Sequence, residues 1–310
     1  MSEIFLRETF GNFIVEKADI FKNMVVLNAD LSSSTKTDKF AQKYPNRFFN
    51  FGIAEQNMVG AAMGFAISGK IPIISGFSLF TTGRAWEFIR LACHDNLNIK
   101  IVTTHAGLVG PDGSTHSALE DLSIMSALPN LNIIVPADNI ELIEILNYAL
   151  DIEGPFYIRL PRGGFKNIHT NNYKFQPKKP DIIKDGMDIC IIGIGYGSNL
   201  AYQSILKLEQ NLDISIKFIN QSIIKPIIIP NFISEVKDTQ GVLVIEEHNT
   251  YCGVGSIICR IISENNPKPV RVLGIKNSFG QSGNRNELLD FYGFNYKNIE
   301  KLVKELLSHC

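Results

Sequence analysis

One stretch decides the fold: Phe49-Asn50-Phe51-Gly52-Ile53-Ala54-Glu55-Gln56-Asn57-Met58, in which a single carboxylate stands among apolar side chains. Glycine and alanine are frequent from there to Ser68, which predicts a helix over 55–68 that packs closely on a sheet. An arbitrary glutamate at a helix start is usually solvated and favoured by the helix dipole. The apolar flanks of Glu55 instead predict a partly desolvated carboxylate, and therefore a functional role.

Short apolar runs alternate with segments of helical spacing on both sides of this stretch. We predict strands over 24–27, 71–74, 99–103, 132–135 and 156–160, and helices over 5–17, 55–68, 85–93, 120–127 and 140–150. Such alternation of strands and helices predicts a parallel sheet that is covered by helices.

A polar, proline-bearing segment interrupts the alternation after Gly163 and has the composition of a linker. Beyond it we predict strands over 188–194, 214–220, 241–246 and 270–275, and helices over 198–209, 255–264 and 298–307. The sequence therefore predicts an α/β protein with two parallel-sheet domains, over residues 1–165 and 185–310, joined by a linker over 166–184.

Composition and charge exclude several classes of function. The 310 residues carry a net charge of −1, so no overall field favours nucleic acid or an anionic membrane. The apolar runs are too short to span a bilayer, and the N-terminus lacks the pattern of a signal peptide. Five scattered cysteines without a CxxC pair argue against structural zinc and against a disulfide framework. We expect a cytoplasmic protein that binds neither nucleic acid nor membrane.

Three further motifs follow predicted strands: Ser75-Gly76-Phe77-Ser78-Leu79-Phe80, His105-Ala106-Gly107 and Pro111-Asp112-Gly113-Ser114-Thr115-His116. Taken alone, each has an ordinary explanation, because aromatics after a strand are usually core and Pro-Asp-Gly is a common turn. Together with the Glu55 segment they resemble the pyrimidine-binding domain of transketolase, a thiamine diphosphate enzyme. The resemblance extends through the linker to the C-terminal domain of that family.

The resemblance implies where the cofactor would bind. Glu55 corresponds to the glutamate that hydrogen-bonds the aminopyrimidine ring, and Phe77 and Phe80 correspond to aromatics that wall this ring. A third aromatic of the family would fall near Gly83 and is absent here. Trp86 is the alternative that the sequence offers.

The resemblance also implies where a sugar phosphate would bind. Four residues match the positions with which transketolases hold the phosphate, namely Arg7, Ser34, His105 and Arg162. Two guanidiniums, an imidazole and a hydroxyl suit that ligand. Arg159 is a rival of Arg162, because the related deoxyxylulose phosphate synthases use an arginine near there.

Two residues of the Pro-Asp-Gly loop complete the implied site. Asp112 and His116 match family residues that meet the donor's hydroxyl and carbonyl oxygens near the reacting carbon. With Glu55 they are the expected catalytic residues, because aspartate accepts from a hydroxyl and histidine relays a proton. They are also expected to bind the substrate.

The sequence lacks a Gly-Asp-Gly followed further on by Asn, the motif with which the family holds Mg²⁺ and the cofactor's diphosphate. We therefore expect no metal ligand in this chain, and a partner, the N-terminal transketolase subunit, that carries the diphosphate-binding domain and the Mg²⁺ ligands. Self-association into a dimer would then make the enzyme a heterotetramer. The implied function is that of the C-terminal subunit of a split transketolase, which moves a two-carbon ketol unit between sugar phosphates only with its partner.

Two other interpretations stay open. One is a related thiamine enzyme, either deoxyxylulose-phosphate-synthase-like or a 2-oxoacid dehydrogenase β-like subunit. His105 argues against the synthase, which tends to carry arginine there, and the loop with Asp112 and His116 argues against the dehydrogenase. The other is a non-catalytic scaffold of the same fold, which would need neither Glu55 nor the four phosphate-binding residues.

Two tempting patterns predict no site. Gly193-Ile194-Gly195-Tyr196-Gly197 follows a strand but lacks the GxGxxG spacing of a dinucleotide site. Glu246-Glu247-His248-Asn249 is rich in metal-ligand types, yet successive residues of a strand point to opposite faces.

Overall fold

The computed structural model describes residues 4–308, and within this range the chain forms two α/β units. The helices of the first unit are α1 (Leu6–Lys17), α2 (Ser32–Thr35), α3 (Asp38–Lys43), α4 (Glu55–Ile67), α5 (Ser78–Arg84), α6 (Trp86–His94), α7 (Asp121–Ser126) and α8 (Asn139–Asp151). Its strands are β1 (Ile4–Phe5), β2 (Met24–Asn28), β3 (Phe48–Asn50), β4 (Ile71–Ser75), β5 (Lys100–Ala106), β6 (Asn132–Ile134), β7 (Phe156–Pro161) and β8 (Gly164–Phe165). Single 3₁₀ turns lie at Pro45–Arg47 and Gly110–Asp112.

The second unit follows the same alternation. Its strands are β9 (Asp181–Lys184), β10 (Ile189–Ile194), β11 (Ile216–Asn220), β12 (Ile223–Lys225), β13 (Gly241–Asn249) and β14 (Val270–Ile275). Its helices are α9 (Tyr196–Leu212), α10 (Ile229–Val236), α11 (Val254–Asn265), α12 (Arg285–Phe291) and α13 (Tyr296–Leu307).

Both central sheets are mainly parallel, as the sequence predicts. The first has the strand order β12-β6-β7-β5-β4-β2-β3, and the second has the order β14-β13-β10-β11-β9. Strand β2 shows why its sequence is an unbroken apolar run: Val25 and Leu27 pack into one core, whereas Met24 and Val26 pack into another. Both faces of the sheet are buried, as expected when helices cover a parallel sheet on each side.

Several elements of the structure were not predicted from the sequence, among them β9, β12 and α5. Strand β9 lies inside the segment predicted as linker and pairs antiparallel with β11, so the second sheet begins at Asp181. Strand β12 crosses to the first sheet, where it pairs antiparallel with β6. Helix α5 was not predicted, because Ser78-Leu79-Phe80-Thr81-Thr82-Gly83-Arg84 has no helical spacing of apolar residues. The pairings of β9 and β12 depend on strands that are distant in the sequence, and local periodicity does not report such partners.

The linker is fixed to both units by one histidine. Asp138, which caps α8, accepts hydrogen bonds from the backbone N–H of His169 at 2.9 Å and from its Nδ1 at 2.8 Å. The other ring nitrogen, Nε2, contacts the Asp181 carboxylate at 2.7 Å. Because Asp138 belongs to the first unit and Asp181 to the second sheet, this clasp holds the two units together.

The topology places the candidate residues at one edge of the first sheet. The segments that follow the carboxyl ends of β2, β3, β4, β5 and β7 carry Ser34, Glu55, Phe77, His116 and Arg162, respectively. In open α/β sheets this edge is where ligands bind. Arg7 joins it from the first turn of α1.

Across residues 4–308, the structure contains no helix with the length and apolar character that a bilayer crossing requires.

Candidate active site

Glu55 is the buried carboxylate that the sequence predicts. It begins α4 and is 4% exposed. The N-terminus of a helix stabilises a negative charge, because its first N–H groups point outward. Its partner was missed by the sequence reasoning: Nη1 of Arg84, at the end of α5, donates to Oε1 of Glu55 at 2.9 Å.

Aromatic rings line the space next to this ion pair. The Phe77 and Phe80 ring centroids lie 6.0 Å apart with the planes at 24°. His105 stacks on Phe77 at 3.9 Å, and His116 meets Phe80 edge-on at 5.1 Å. These rings form a wall with flat faces, which suits a planar heterocycle.

Trp86 takes another place. Its indole N–H donates to the carbonyl of Ile124 at 3.0 Å, and its ring packs on the core beneath the sheet. Trp86 is thus a half-buried structural residue that joins α6 to α7. The contact with Ile124 does not favour Trp86 as the replacement for the missing third aromatic.

The backbone of His105 is unusual. Its φ of +58° lies in the left-handed region, and the pairing of β5 with β7 shifts register between Thr103 and Ala106. Such conformations are sparsely populated and are found where a side chain must be aimed. Burial, and then the charges of Arg162 and Arg7, lower the pKa of His105 to about 3. The imidazole is therefore neutral at pH 7 and acts through hydrogen bonds.

Arg7 closely follows β1 and Arg162 closely precedes β8, and these two strands pair, so the two arginines come from adjacent backbone segments. The charges of both guanidiniums act on the pKa of His105. Arg7 donates from Nη1 to the backbone carbonyl of Ser34 at 3.2 Å, so those two residues also meet. Within the described part of the chain, the buried Nε of Arg7 has no hydrogen-bond acceptor. A buried donor of this kind is expected where an anion binds.

The Pro-Asp-Gly loop also reaches the site. Asp112 pairs with Arg162, whose Nη1 also donates to the carbonyl of Val109 at 2.7 Å. Burial, followed by the charges of Arg7 and Arg285, lowers the pKa of Arg162. Two of the predicted ligand-binding residues are thus paired with each other.

Arg159, the rival of Arg162, points elsewhere. It is 3% exposed, and its Nε donates to Oδ2 of Asp121 at 2.7 Å. Its Nη2 donates to Oδ1 of Asp121 and to the carbonyls of Ala118 and Glu247. These contacts make Arg159 a structural residue that ties α7 to β13, which favours Arg162 for the phosphate.

The second unit contacts the segment that follows His105 through Glu247 of β13. Glu247 accepts from the backbone N–H of Leu108 at 2.8 Å and pairs with Arg285. A Cβ on Gly107 would meet the Glu247 carboxylate at 2.6 Å, and Gly107 has a φ of +74°. Only glycine fits there. Sequence reasoning missed this contact, because nothing local connects Glu247 to the motif at His105.

The two tempting patterns have structural explanations. A Cβ on Gly197 would clash with the carbonyl oxygen of Ile245, so this glycine allows α9 to pack on β13. Glu246 accepts from the N–H groups of Val254 and Gly255 at the start of α11, and Glu247 points to Arg285. The neighbouring side chains of β13 therefore serve different contacts.

One group of metal-ligand types was not anticipated. Atoms of Glu141, His169 and Asp181 lie within 4.8 Å of one another. Both ring nitrogens of His169 already face carboxylates, those of Asp138 and Asp181. The group is thus part of the clasp that holds the linker.

The sequence matches two family models, "Transketolase, pyrimidine binding domain" over residues 2–166 and "Transketolase, C-terminal domain" over residues 178–299. The chain belongs to the transketolase family. A protein of Methanocaldococcus jannaschii named for the C-terminal section of transketolase is 40% identical over 306 residues, which cover 97% of this chain and 95% of that protein.

Two further relatives agree. One of the subunits of the apulose-4-phosphate transketolase of Phocaeicola vulgatus is 30% identical over 305 residues, 97% of each chain. A solved structure described as "Split gene transketolase, inactive beta4 tetramer" is 38% identical, with a TM-score of 0.90 over 99% of each chain. This transketolase-family chain is therefore a split-transketolase-like subunit with the pyrimidine-binding and C-terminal domains, and the family implies dependence on thiamine diphosphate.

Proposed function

We propose that this chain is the C-terminal subunit of a split, thiamine-diphosphate-dependent transketolase that transfers a two-carbon ketol unit between sugar phosphates. The observation that carries the proposal is the juxtaposition at one sheet edge of a buried carboxylate, an aromatic wall and a pair of arginines. Glu55 supplies the first, Phe77 and Phe80 the second, and Arg7 and Arg162 the third.

Glu55, Phe77 and Phe80 fit the aminopyrimidine half of the cofactor. The planar Arg84 guanidinium already makes the two contacts that such a ring needs, a hydrogen bond to Glu55 and a face on Phe80. When bound, thiamine diphosphate supplies a carbon nucleophile that forms once its amine has become an imine. The role of Glu55 is to hold the proton on the ring nitrogen that this tautomer requires.

The remaining candidates fit the sugar phosphate. Arg7 and Arg162 supply fixed positive charge, and neutral His105 and the Ser34 hydroxyl supply hydrogen bonds for phosphate oxygens. Asp112 contacts Arg162 and His116 contacts Phe80, so these two residues link the arginine pair to the aromatic wall. There they are suited to bind the donor's oxygens near the reacting carbon, and His116 would relay a proton.

A partner chain completes the proposed enzyme. The sequence contains no Gly-Asp-Gly…Asn motif, so the Mg²⁺ and diphosphate ligands are assigned to an N-terminal subunit. The relatives that are named as one subunit of a transketolase and as a split-gene transketolase support such an arrangement. In the proposed heterotetramer, two copies of this chain associate with two copies of the partner.

The test is reconstitution. The purified chain, with thiamine diphosphate and Mg²⁺, is expected to show no ketol transfer from a phosphorylated ketose to an aldose phosphate. Adding the N-terminal subunit should restore transfer, with an optimum at equal amounts of the two chains. Ketol transfer by the chain alone would refute the division of the site. A reconstituted complex that binds the cofactor yet transfers no ketol unit would refute the reaction.

A further inference from the structure

Arg84 occupies the two contacts that the proposed function assigns to the cofactor's ring. Its Nη1 donates to Oε1 of Glu55 at 2.9 Å, and its guanidinium carbon lies 4.3 Å from the centroid of the Phe80 ring. The Arg84 side chain is 48% exposed, whereas that of Glu55 is 4% exposed. A half-exposed surface group therefore covers a buried carboxylate and an aromatic face at the same time.

These contacts have the geometry of the proposed ligand. A guanidinium is planar, stacks on aromatic faces and directs N–H donors in its own plane. An aminopyrimidine ring is also planar and must pair with the same Glu55 carboxylate while lying against the same aromatic wall. Two planar groups cannot occupy this space together, so binding of the ring requires that Arg84 leaves Glu55.

The ion pair with Arg84 stabilises the buried Glu55 carboxylate while no ligand is bound. A buried carboxylate without a partner is unfavourable, because it has lost water and gained nothing. Arg84 supplies that partner through a flexible side chain whose outer half remains in solvent. Since the pair is partly exposed, its free energy is small, and displacement by a ligand is feasible.

We propose that Arg84 is a displaceable occupant of the aminopyrimidine half-site, which pairs with Glu55 in the cofactor-free chain and competes with thiamine diphosphate. This inference rests on the proposed function. It assigns Arg84 to regulation of cofactor affinity and gives the Gly83-Arg84 segment, where the family aromatic is absent, a role of its own.

The experiment measures the Kd of thiamine diphosphate by calorimetry, with Mg²⁺ present and with the complex reconstituted from this chain and the N-terminal subunit. Arg84→Ala is expected to lower the Kd by about two- to tenfold, because a competing ion pair of this exposure is lost. Arg84→Gln keeps a long polar side chain without the charge and should also lower the Kd. Arg90→Ala, which removes an exposed arginine of α6, is the matched control and should leave the Kd unchanged.

A double-mutant comparison tests whether Arg84 acts through Glu55. In the Glu55→Gln background the ion pair no longer exists, so adding Arg84→Ala should leave the Kd within about twofold. An unchanged or raised Kd in Arg84→Ala and Arg84→Gln, with normal binding by the unaltered complex, would overturn the inference and leave the proposed function standing. Damage to the fold would raise the Kd, so it cannot imitate the expected result. Absence of binding by the unaltered complex would overturn both.

Discussion

Substitution of Arg162 and of Arg159 separates phosphate binding from folding. Arg162 is half-buried at the site, where it pairs with Asp112, and both side chains are about one-third exposed, at 29% and 34%. Loss of a pair with this exposure changes the free energy of unfolding by about 0–1 kcal/mol. Loss of a charged hydrogen bond to a phosphate costs about 1.5–3 kcal/mol, so Arg162→Ala should raise the KM for phosphorylated sugars about 10- to 100-fold. Arg162→Lys should also raise the KM, because lysine cannot pair bidentately with phosphate, but by less than Arg162→Ala, because the positive charge remains.

Arg159→Ala should behave differently. Its Asp121 partner is 1% exposed, and despite burial, which raises the pKa of Asp121, Arg159 and His248 hold that pKa below its ordinary value. Removing the guanidinium leaves a buried carboxylate with only neutral donors and His248, which costs about 3–5 kcal/mol of stability. We expect a large fall in the urea midpoint of unfolding.

The assay combines urea unfolding of the chain with steady-state kinetics of the reconstituted enzyme. Two donors are compared, a ketose phosphate and an unphosphorylated short hydroxy-oxo acid, which has no phosphate for Arg7 and Arg162 to bind. Arg162→Ala should raise the KM only for the ketose phosphate. Arg260→Ala, which removes a surface pair with Glu264, should raise the KM for neither donor. An equal rise in KM for both donors in Arg162→Ala would refute the assignment of Arg162 to phosphate binding. A stable Arg159→Ala with a selective loss for phosphorylated donors would transfer the role to Arg159.

Three further predictions follow from the same contacts. Glu55→Gln should lower kcat of the reconstituted enzyme by at least about 100-fold with the fold intact, because an amide cannot exchange the ring proton, and near-normal turnover would show that Glu55 is misassigned. The isolated chain should sediment as a dimer or larger at micromolar concentration, since α4 presents half-buried Ala61 and Met63 and exposed Gly64, and a strictly monomeric mass would contradict this. Burial lowers the pKa of His169, but hydrogen bonds to Asp138 and Asp181 outweigh burial and raise this pKa to about 10, above the ordinary 6.5. The protonated His169 therefore stabilises the folded chain fully below pH 6.5, and this stabilisation is lost as the pH rises towards 10. The difference in unfolding free energy between the unaltered chain and His169→Gln should therefore shrink by about 1.4 kcal/mol per pH unit from pH 7 to 9, and a constant difference would contradict the clasp.

The sequence predicts the parallel sheets well because their strands are buried on both faces. The run at Met24–Asn28 and the run at Ile71–Ser75 have no polar alternation, and each becomes a central strand of the first sheet. Glu55 is predictable for a related reason, since apolar flanks imply that its carboxylate is desolvated. Local composition contains this information, so no distant contact is needed to find it.

The contacts that the sequence does not predict join residues far apart in the chain. Glu55 and Arg84 are 29 positions apart and meet only because α4 and α5 pack together. Leu108 and Glu247 are 139 positions apart and belong to different units. Periodicity determines which face of an element is buried, but register and topology determine which side chain lies opposite it.

The site residues share an electrostatic arrangement that follows from these long-range contacts. Glu55 pairs with Arg84, and Arg162 pairs with Asp112, so an expected ligand-binding charge is neutralised within the chain in each case. A ligand must replace an internal partner at both places, so the loss of the internal ion pair offsets part of its binding free energy. Substitutions of the residue that faces the ligand should therefore weaken binding, whereas removal of the internal competitor should strengthen it. Asp112 competes with the ligand for Arg162 and is also expected to contact the donor, so substitution of Asp112 should have two opposing effects on affinity. Arg84 has no expected contact with the ligand, so its substitution reports the competition alone.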